Sequence, residues 1–313
     1  MTSFQSRAYA EAQDRLALRD LLWAVRAGAT ADRYPTRFRL ELLLSSRLSD
    51  PAHDACVWSD DRGPLRGCAA LLQRAPDSAS ASLELVIHPD GVDALAEDML
   101  AWCQGWVEGH QDTRGSALTV SAVACADESA KRALLLQHGF VPQLDVHNVY
   151  FMRPLDDATD ALPPPPPVPT GYQVRPLRGR EELEAYEALF SFAPIHRHHR
   201  LALLHDPDYC HLLLVAPDGA LEAFVECSTD REEWARGGRR TGWVDYIGTA
   251  EQRRGAGLGR VMLHASLRWM RQQGAKQAAL VTMSTNTPAQ RLYTSMGFRE
   301  VAMETVYLFN ASA

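Results

Sequence analysis

A predicted strand and the amphipathic helix that follows it are joined by Glu251-Gln252-Arg253-Arg254-Gly255-Ala256-Gly257-Leu258-Gly259-Arg260. The glycines allow the backbone to turn tightly and to approach a ligand closely. Unpaired N–H groups at a helix start, together with the helix dipole, attract anions, and arginines are strong phosphate donors. The stretch therefore predicts an anion-binding loop. The alternative interpretation is a basic, glycine-rich turn without a ligand.

Two common phosphate-binding motifs do not fit this loop. No Gly-Lys-Ser or Gly-Lys-Thr follows the glycines, so it is not a Walker A loop. The Gly-x-Gly-x-x-Gly spacing of dinucleotide folds is also absent, and the surrounding strands are predicted to form a meander rather than βαβ units.

Hydrophobic periodicity and turn residues predict the order β-α-α-β-β-β-α-β-α-β in the second half of the chain. The expected strands cover 172–177, 208–217, 220–228, 242–249, 277–283 and 298–309, and the helices 181–190, 199–205, 257–274 and 288–296. This order predicts an α/β fold with a mixed sheet.

The first half repeats this order, which indicates an internal duplication. Met99-Leu100 and Met262-Leu263 occupy corresponding helices, and Gly139-Phe140 corresponds to Gly297-Phe298. Five prolines at Pro163–Pro167 favour an extended spacer between the halves. We therefore predict domains at 1–155 and 171–313, with a linker at 156–170.

Two motifs of the second half resemble those of the GNAT acyltransferase superfamily. The pyrophosphate motif of that family, Arg/Gln-x-x-Gly-x-Gly/Ala, is matched by Arg254, Gly257 and Gly259. A second family block is matched by Asn286, Ala289, Leu292, Tyr293, Gly297 and Phe298. The resemblance implies two tandem GNAT-like acyl-CoA N-acyltransferase domains, of which the first is degenerate.

The resemblance also implies a cosubstrate and a reaction. Acetyl-CoA is the expected acyl donor, and a primary amine of a small molecule or a peptide is the expected acceptor. The backbone of Ile247, Gly248 and Thr249 is expected to hold the pantetheine arm. The other expected cofactor-binding residues are Arg253, Arg254, Gly255, Ala256, Gly257, Leu258, Gly259, Arg260, Asn286, Ala289 and Tyr293.

Tyr293 matches the general acid of the family, which protonates or hydrogen-bonds the departing thiolate. The residue type alone favours a tyrosine packed in the core, and the general-acid role depends on the surrounding motif. The family's acidic residue on the strand before the loop is replaced here by Trp243. Asp245, which strand alternation would place on the same face, and Glu226 are the candidate catalytic bases, with Glu222 as a third. A water chain is the alternative.

The first half lacks the features of the anion-binding loop. Its corresponding turn is His88-Pro89-Asp90-Gly91-Val92-Asp93, which has one glycine, no arginine and two carboxylates. Leu135 occupies the position of Tyr293. We expect this half to bind no acyl-CoA.

Composition limits the classes of function. The net charge of −7 argues against a general nucleic-acid-binding surface, and no apolar run is long enough to span a membrane. The six scattered cysteines predict a reducing, cytoplasmic location without disulfides. The run His196–Arg200 lacks ligands at metal-site spacing, so no metal is expected. Two other functions are open: a non-catalytic acyl-CoA-binding module and a structural pair that acts through protein contacts.

Overall fold

The computed structural model describes residues 4–28, 36–44, 51–61, 63–73, 78–114, 117–155, 164–190 and 197–311. These residues form two compact units, one made of Met1–Asn148 with Met303–Ala313 and the other of Val149–Ala302. We refer to them as unit 1 and unit 2.

Unit 1 contains a mixed sheet and five helices in its described part. Its strands are β1 (Gln5–Ala8), β2 (Ala55–Ser59), β3 (Leu65–Gln73), β4 (Ser80–Ile87), β5 (Leu118–Cys125), the first part of β6 (Val141–Pro154) and the end of β12 (Arg299–Ala311). Its helices are α1 (Glu11–Gly28), α2 (Arg37–Leu44), α3 (Pro51–Asp54), α4 (Val92–Arg114) and α5 (Ser129–Gln137). The first four strands are antiparallel neighbours, whereas β4 and β5 are parallel.

Unit 2 repeats this arrangement. Its strands are the end of β6, β7 (Gln173–Pro176), β8 (Tyr209–Val215), β9 (Leu221–Ser228), β10 (Thr241–Thr249), β11 (Gln277–Met283) and the start of β12. Its helices are α6 (Gly179–Leu189), α7 (Arg197–Leu203), α8 (Arg231–Ala235), α9 (Leu258–Gln273) and α10 (Thr287–Ser295). Strands β7 to β10 are antiparallel neighbours, and β10 and β11 are parallel. The mixed α/β fold predicted from the sequence is confirmed.

The last strand of each half departs from the expected division. Residues 304–311 of β12 pair with β5 of unit 1, and Tyr307 is buried in the core of that unit. Val149 and Phe151 of β6 are buried in the core of unit 2. The end of β6, which the sequence pattern assigns to 1–155, therefore belongs to unit 2. The end of β12, which the pattern assigns to 171–313, belongs to unit 1. Hydrophobic alternation identifies a strand but not its partner.

The predicted linker is described only in part. Residues 156–163 lie outside the described residues, and 164–169 have no regular secondary structure and are mostly exposed. Residues 164–169 are therefore largely solvated, and an extended spacer at this point stays a prediction.

Helix α9 forms the core of unit 2 with the sheet. Val261, Met262, Leu267 and Met270 recur at helical spacing and are buried. Gly242 of β10 permits this packing, because a Cβ there would lie 2.7 Å from Cγ of Met270. No helix in the described part of the chain is long and apolar enough to cross a membrane.

Candidate active site

The turn between β10 and α9 depends on two glycines in left-handed conformations. A short 3₁₀ turn at Glu251–Arg253 follows the strand, and Arg254 is extended. Gly255 then has φ 81° and Gly257 has φ 78°, and the helix begins at Leu258. Side chains with a Cβ rarely adopt positive φ, so this geometry requires glycine at both positions.

The turn presents several backbone N–H groups that have no acceptor among the residues that the structure describes. The amides of Gly255, Gly257, Leu258 and Gly259 donate to no acceptor within the described ranges. Gly255 and Gly257 are exposed. The positive end of the α9 dipole lies at the same place. The arrangement can bind a diphosphate through several amides at once, as helix N-termini commonly do.

The arginines of the turn divide into two kinds. Arg254 and Arg260 are exposed. The guanidinium of Arg253 instead contacts Glu222, with 2.8 Å between Nε and Oε2, and donates from Nη2 to the Tyr172 hydroxyl at 2.8 Å. Arg253 therefore ties the turn to β9 and to the segment before β7. This side chain was predicted to bind the cofactor, and its contacts show an internal role.

Strands β10 and β11 separate just before the turn. They pair from Thr241↔Gln277 to Val244↔Leu280 and no further, while β10 continues beside β9 to Thr249. Ile247, Gly248 and Thr249 are partly exposed on the strand that has lost its second neighbour. A free strand edge of this kind accepts an extended chain through main-chain hydrogen bonds.

Asp245 lies at a β-bulge at the point of separation. Val244 pairs with Cys227 and Tyr246 with Glu226, so Asp245 is the extra residue between them. Alternation was expected to place Asp245 on the face of Trp243, but a bulge interrupts alternation, so that argument fails. Asp245 is partly exposed, whereas Trp243 is buried and packs edge-on against Tyr150.

Tyr293 lies in α10 and is largely enclosed by aromatic side chains. Its ring centroid is 6.0 Å from that of Phe151 and 6.2 Å from that of Phe298, and 5% of the residue is exposed. Burial raises the pKa of the phenol to about 12. Its hydroxyl contacts no hydrogen-bonding partner in the part of the chain that the structure describes. Tyr293 is therefore a neutral donor at physiological pH.

Both ends of α10 are fixed by side-chain hydrogen bonds. Asn286 is the N-cap, and its side chain accepts from the Ala289 amide at 3.4 Å and donates to Thr282 at 3.3 Å. Arg153 of β6 donates to the carbonyl of Met296 at the other end. Asn286 thus has a capping role beside the predicted contact with the pantetheine arm. Sequence reasoning had no signal for Arg153, because β6 belongs by sequence to the first half.

Glu226 lies in an environment unsuited to a base. Both carboxylate oxygens accept hydrogen bonds, from Tyr186 at 2.6 Å, Arg200 at 3.1 Å and Tyr209 at 2.5 Å. Burial raises the pKa of this carboxyl, but Arg200, His211 and the two phenols together lower it to about 2. A carboxylate that is 1% exposed and so strongly held in its ionised form is a poor proton acceptor. The prediction of Glu226 as a base is therefore not supported by its contacts.

The partners of Glu226 were missed by sequence analysis. They come from α6, α7 and β8, and nothing in the spacing of Tyr186, Arg200 and Tyr209 indicates that they meet. Glu222, the third carboxylate considered, is occupied by Arg253. Among the described residues, no group of three or more His, Cys, Asp or Glu side chains is arranged to hold a metal ion. His196 lies outside the described residues.

The corresponding turn of unit 1 differs. It is a 3₁₀ turn at Pro89–Gly91 that leads directly into α4. His88 Nδ1 accepts from the Asp90 amide at 3.2 Å and lies 3.7 Å from the Asp90 carboxylate. Leu135, at the position of Tyr293, is fully buried in the core of unit 1.

Comparisons with known proteins point to one family of enzymes. Residues 173–298 match the model of the acetyltransferase (GNAT) family. The chain is 27% identical to a mycothiol acetyltransferase of Pseudarthrobacter chlorophenolicus over 91% of this chain and 84% of that protein. A mycothiol acetyltransferase of Thermomonospora curvata is 29% identical, over 76% and 77% of the two chains.

Solved structures share the fold of the whole chain. A tandem GNAT protein from the clavulanic acid biosynthesis pathway has a TM-score of 0.70 at 17% identity and covers 99% of both chains. A GCN5-related N-acetyltransferase from Sphaerobacter thermophilus has a TM-score of 0.65 at 20% identity, over 98% and 95% of the two chains. The expected tandem arrangement of two GNAT-like domains is confirmed, while degeneracy of the first stays a prediction.

Proposed function

Because residues 173–298 form a domain of the GNAT acetyltransferase family and the protein is an acyltransferase, we propose that it transfers an acetyl group from acetyl-CoA to a primary amine. The observation that carries the proposal is the continuity of two features. The free edge of β10 ends at Thr249, and the exposed amides of Gly255 and Gly257 follow within the same turn.

Binding of the acyl donor follows from these two features. Its diphosphate contacts the amides of the turn, with Arg254 and Arg260 adding charge. Its pantetheine arm lies along Ile247, Gly248 and Thr249 as an added strand. The thioester is thereby directed toward the place where β10 and β11 part, which is where Asp245 stands.

Asp245 is the proposed base. An amine is largely protonated at neutral pH, so it must lose one proton before it attacks. The proton passes to Asp245, the amine nitrogen bonds to the thioester carbonyl carbon, and the carbon–sulfur bond breaks. The nitrogen loses its second proton as the amide forms. The leaving thiolate takes up one proton, so the number of protons is conserved.

Tyr293 stabilises the leaving thiolate by donating a hydrogen bond. A phenol whose pKa is about 12 is a weaker acid than a thiol of pKa about 8.5, so net proton transfer from Tyr293 to sulfur is unfavourable. A neutral donor in an enclosed site still lowers the barrier, because it compensates charge that develops in the transition state. The proposal therefore changes Tyr293 from general acid to hydrogen-bond donor.

The acceptor is a small-molecule amine in this proposal. Several relatives that match over most of the chain carry the name mycothiol acetyltransferase, so the amine acetylated by those enzymes is the first acceptor to test.

Release of free thiol from acetyl-CoA, measured with a panel of small amines and peptides, tests the proposal. We expect amine-dependent thiol release and an acetylated product of the expected mass. Tight binding of CoA without thiol release with any amine would instead support a non-catalytic acyl-CoA-binding module. Absence of CoA binding would contradict both functions.

A further inference from the structure

Two cysteines of unit 2 lie directly opposite each other in the sheet and take no part in the reaction described above. Cys210 of β8 is the register partner of Cys227 of β9. Both side chains pack in the core that α9 forms with the sheet. They therefore point to the same face of the sheet, as directly opposed residues of antiparallel strands do.

The spacing of this pair fits a disulfide bond without rearrangement of the sheet. Directly opposed residues of antiparallel strands have Cα atoms about 4.5 to 5.5 Å apart. Disulfides join cysteines whose Cα atoms are about 4.4 to 6.8 Å apart. The Cβ atoms of a disulfide lie about 3.8 Å apart, which is closer than the separation of about 4.5 Å or more between opposed Cβ atoms in a sheet. A bond between Cys210 and Cys227 would therefore draw β8 and β9 together by about 1 Å at this row.

Two cysteines on neighbouring strands of unit 1 lack this geometry. Cys56 of β2 pairs with Ala69 of β3, and Cys68 of β3 pairs with Val57, so the two cysteines lie one row apart. Cys56 packs in the core that contains α4, whereas Cys68 packs in the core that contains α1 and α2. Because successive side chains of a strand point to opposite faces, Cys56 and Cys68 cannot be joined. Adjacent strands therefore do not by themselves make a disulfide site.

An oxidant reaches the pair of unit 2 through Cys210. All six cysteines lie in the described part of the chain as free thiols, and of these Cys210 is partly exposed and the other five are buried. Strand β7 ends at Pro176, which pairs with Leu212, so it does not extend alongside Cys210. Burial, and then the hydrogen bond with Cys210, raise the pKa of the Cys227 thiol well above its ordinary value. Cys227 therefore does not react with an oxidant by itself.

We propose that Cys210 and Cys227 form a reversible modification site, at which a low-molecular-weight disulfide oxidises the two thiols to a cross-strand disulfide. The Cys210 thiolate attacks one sulfur of the oxidant, which forms a mixed disulfide and releases a first small thiolate. The Cys227 sulfur then attacks the sulfur of Cys210 and releases the second small thiolate. The two thiolates take up the two protons that the cysteines lose, so the oxidant is reduced to two small thiols.

The bond would act on the part of β10 that carries the proposed base. Cys227 also pairs with Val244, which is the last residue of β10 to pair with β11 and directly precedes Asp245. A shift of about 1 Å at this row moves the bulge relative to the thioester, and a misplacement of this size can lower a rate by about a hundredfold. We therefore expect oxidation to lower kcat. This effect rests on the proposed function, whereas formation of the bond does not.

Mass spectrometry of a single peptide tests formation of the bond. Trypsin cuts after Arg200 and Arg231 and nowhere between them, so both cysteines lie in peptide 201–231. The full chain is treated with glutathione disulfide, the reaction is stopped with acid, and the remaining thiols are alkylated in denaturant. We expect peptide 201–231 to lack alkyl groups and to be two hydrogens lighter, and to be alkylated when dithiothreitol is added first. The other four cysteines should be alkylated in both samples.

Two substitutions separate the steps of the oxidation. Cys227→Ala removes the second thiol, so Cys210 should stop as a mixed disulfide with glutathione. Cys210→Ala removes the exposed thiol, so Cys227 should be recovered in its alkylated form. Wild-type protein that keeps both thiols or accumulates the mixed disulfide would overturn the site, as would oxidation of Cys227 in Cys210→Ala. The wild-type peptide decides the matter even where a variant does not fold.

The rate of acetylated product formation, measured after the oxidant is removed, tests the effect on the reaction. We expect oxidation to lower kcat of the wild type about tenfold, dithiothreitol to restore it, and Cys210→Ala to be insensitive to the oxidant. A disulfide that forms without a change in kcat would overturn the effect on the bulge. A reduced wild type that acetylates no amine would contradict the proposed function, while the mass of peptide 201–231 would still decide whether the modification site exists.

Discussion

The turn from β10 to α9 in unit 2 and the turn from β4 to α4 in unit 1 occupy the same place in two similar sheets. In both units the parallel pair separates early: β4 and β5 pair from Ser80↔Thr119 to Ser82↔Ser121, and β10 and β11 part after Val244↔Leu280. In both, a 3₁₀ turn and a long helix follow. Among the described residues of the two turns, left-handed glycines together with unused amides occur only in unit 2.

This difference separates what the fold supplies from what the turn supplies. Parting of the strands occurs in both units and is a property of the architecture. Anion binding requires the backbone conformation of the turn, and this conformation depends on only two residues, Gly255 and Gly257. The activity is therefore assigned from the turn and not from the fold, which many functions share.

The largest expected effect follows from disrupting the anion-binding turn between β10 and α9 while the fold is preserved. Gly257→Val places a β-branched side chain at φ 78° and beside the diphosphate position, so we expect CoA affinity to fall by about a hundredfold or more. Isothermal titration calorimetry with CoA measures the change.

Gly274→Val provides the matched control at the other end of the same helix. Gly274 has φ 96°, so backbone strain there is similar, but it lies at the C-terminus of α9. We expect a comparable loss of thermal stability and unchanged CoA affinity. Equal losses of CoA affinity in both variants would mean that backbone strain, and not loss of the anion-binding turn, explains the effect.

The next comparison is between Tyr293 and Leu135 of unit 1. Tyr293→Phe keeps the ring between Phe151 and Phe298 and removes only the hydroxyl, so we expect kcat to fall about ten- to a hundredfold with the KM for acetyl-CoA nearly unchanged. Steady-state thiol release measures both constants. Leu135→Met in unit 1, which nearly keeps the buried volume, should have no effect on either constant. An unchanged kcat for Tyr293→Phe would remove its role.

Sequence reasoning succeeded where the signal is local. The helix that became α9 was predicted from the spacing of Val261 and Met262 and from Gly274 at its end, and the β10–α9 turn from its glycines. The order of elements in unit 2 follows from periodicity, although the short helix α8 was missed because its five residues span little more than one turn.

Features that depend on distant partners could not be predicted. The bulge at Asp245 is a register shift against β9, and one strand read alone shows no such shift. The strong stabilisation of the Glu226 charge needs Arg200 and two tyrosines from other elements. The exchange of β6 and β12 ends is likewise a choice of partners among strands with similar patterns.

Two carboxylates, the buried Glu226 and the half-buried Glu84, give the units opposite pH dependence of stability. The pKa of Glu226 in unit 2 is lowered to about 2, so its contribution is complete above the unfolded value of 4.5 and is lost as pH falls toward 2. In unit 1, burial raises the pKa of Glu84 to about 7, against the opposing effect of Lys131 and Arg39. The folded unit keeps a proton that the unfolded chain releases, so its stability falls as pH rises from 4.5 to about 7.

Glu84→Gln isolates this effect in unit 1. From pH 5 to pH 8 the free energy of unfolding of the variant should rise relative to that of the wild type, by at most about 3 kcal/mol. The measured gain should be smaller than this bound, because Glu84 keeps some contact with solvent. Urea unfolding at both pH values measures the difference. A difference that does not change with pH would show that Glu84 ionises normally in the folded unit.

The smallest expected effect distinguishes two adjacent arginines of the turn. Arg254 is exposed and has no counterpart at the turn of unit 1, so Arg254→Gln should weaken CoA binding about three- to tenfold and reduce its salt dependence. Arg253 already contacts Glu222 and Tyr172, so Arg253→Gln should mainly lower the melting temperature and should leave the salt dependence unchanged. Titration of CoA at two ionic strengths compares them. If Arg253→Gln alone reduced the salt dependence, Arg253 would exchange Glu222 for the diphosphate on binding, and the division of the turn into anchoring and anion-binding arginines would be wrong.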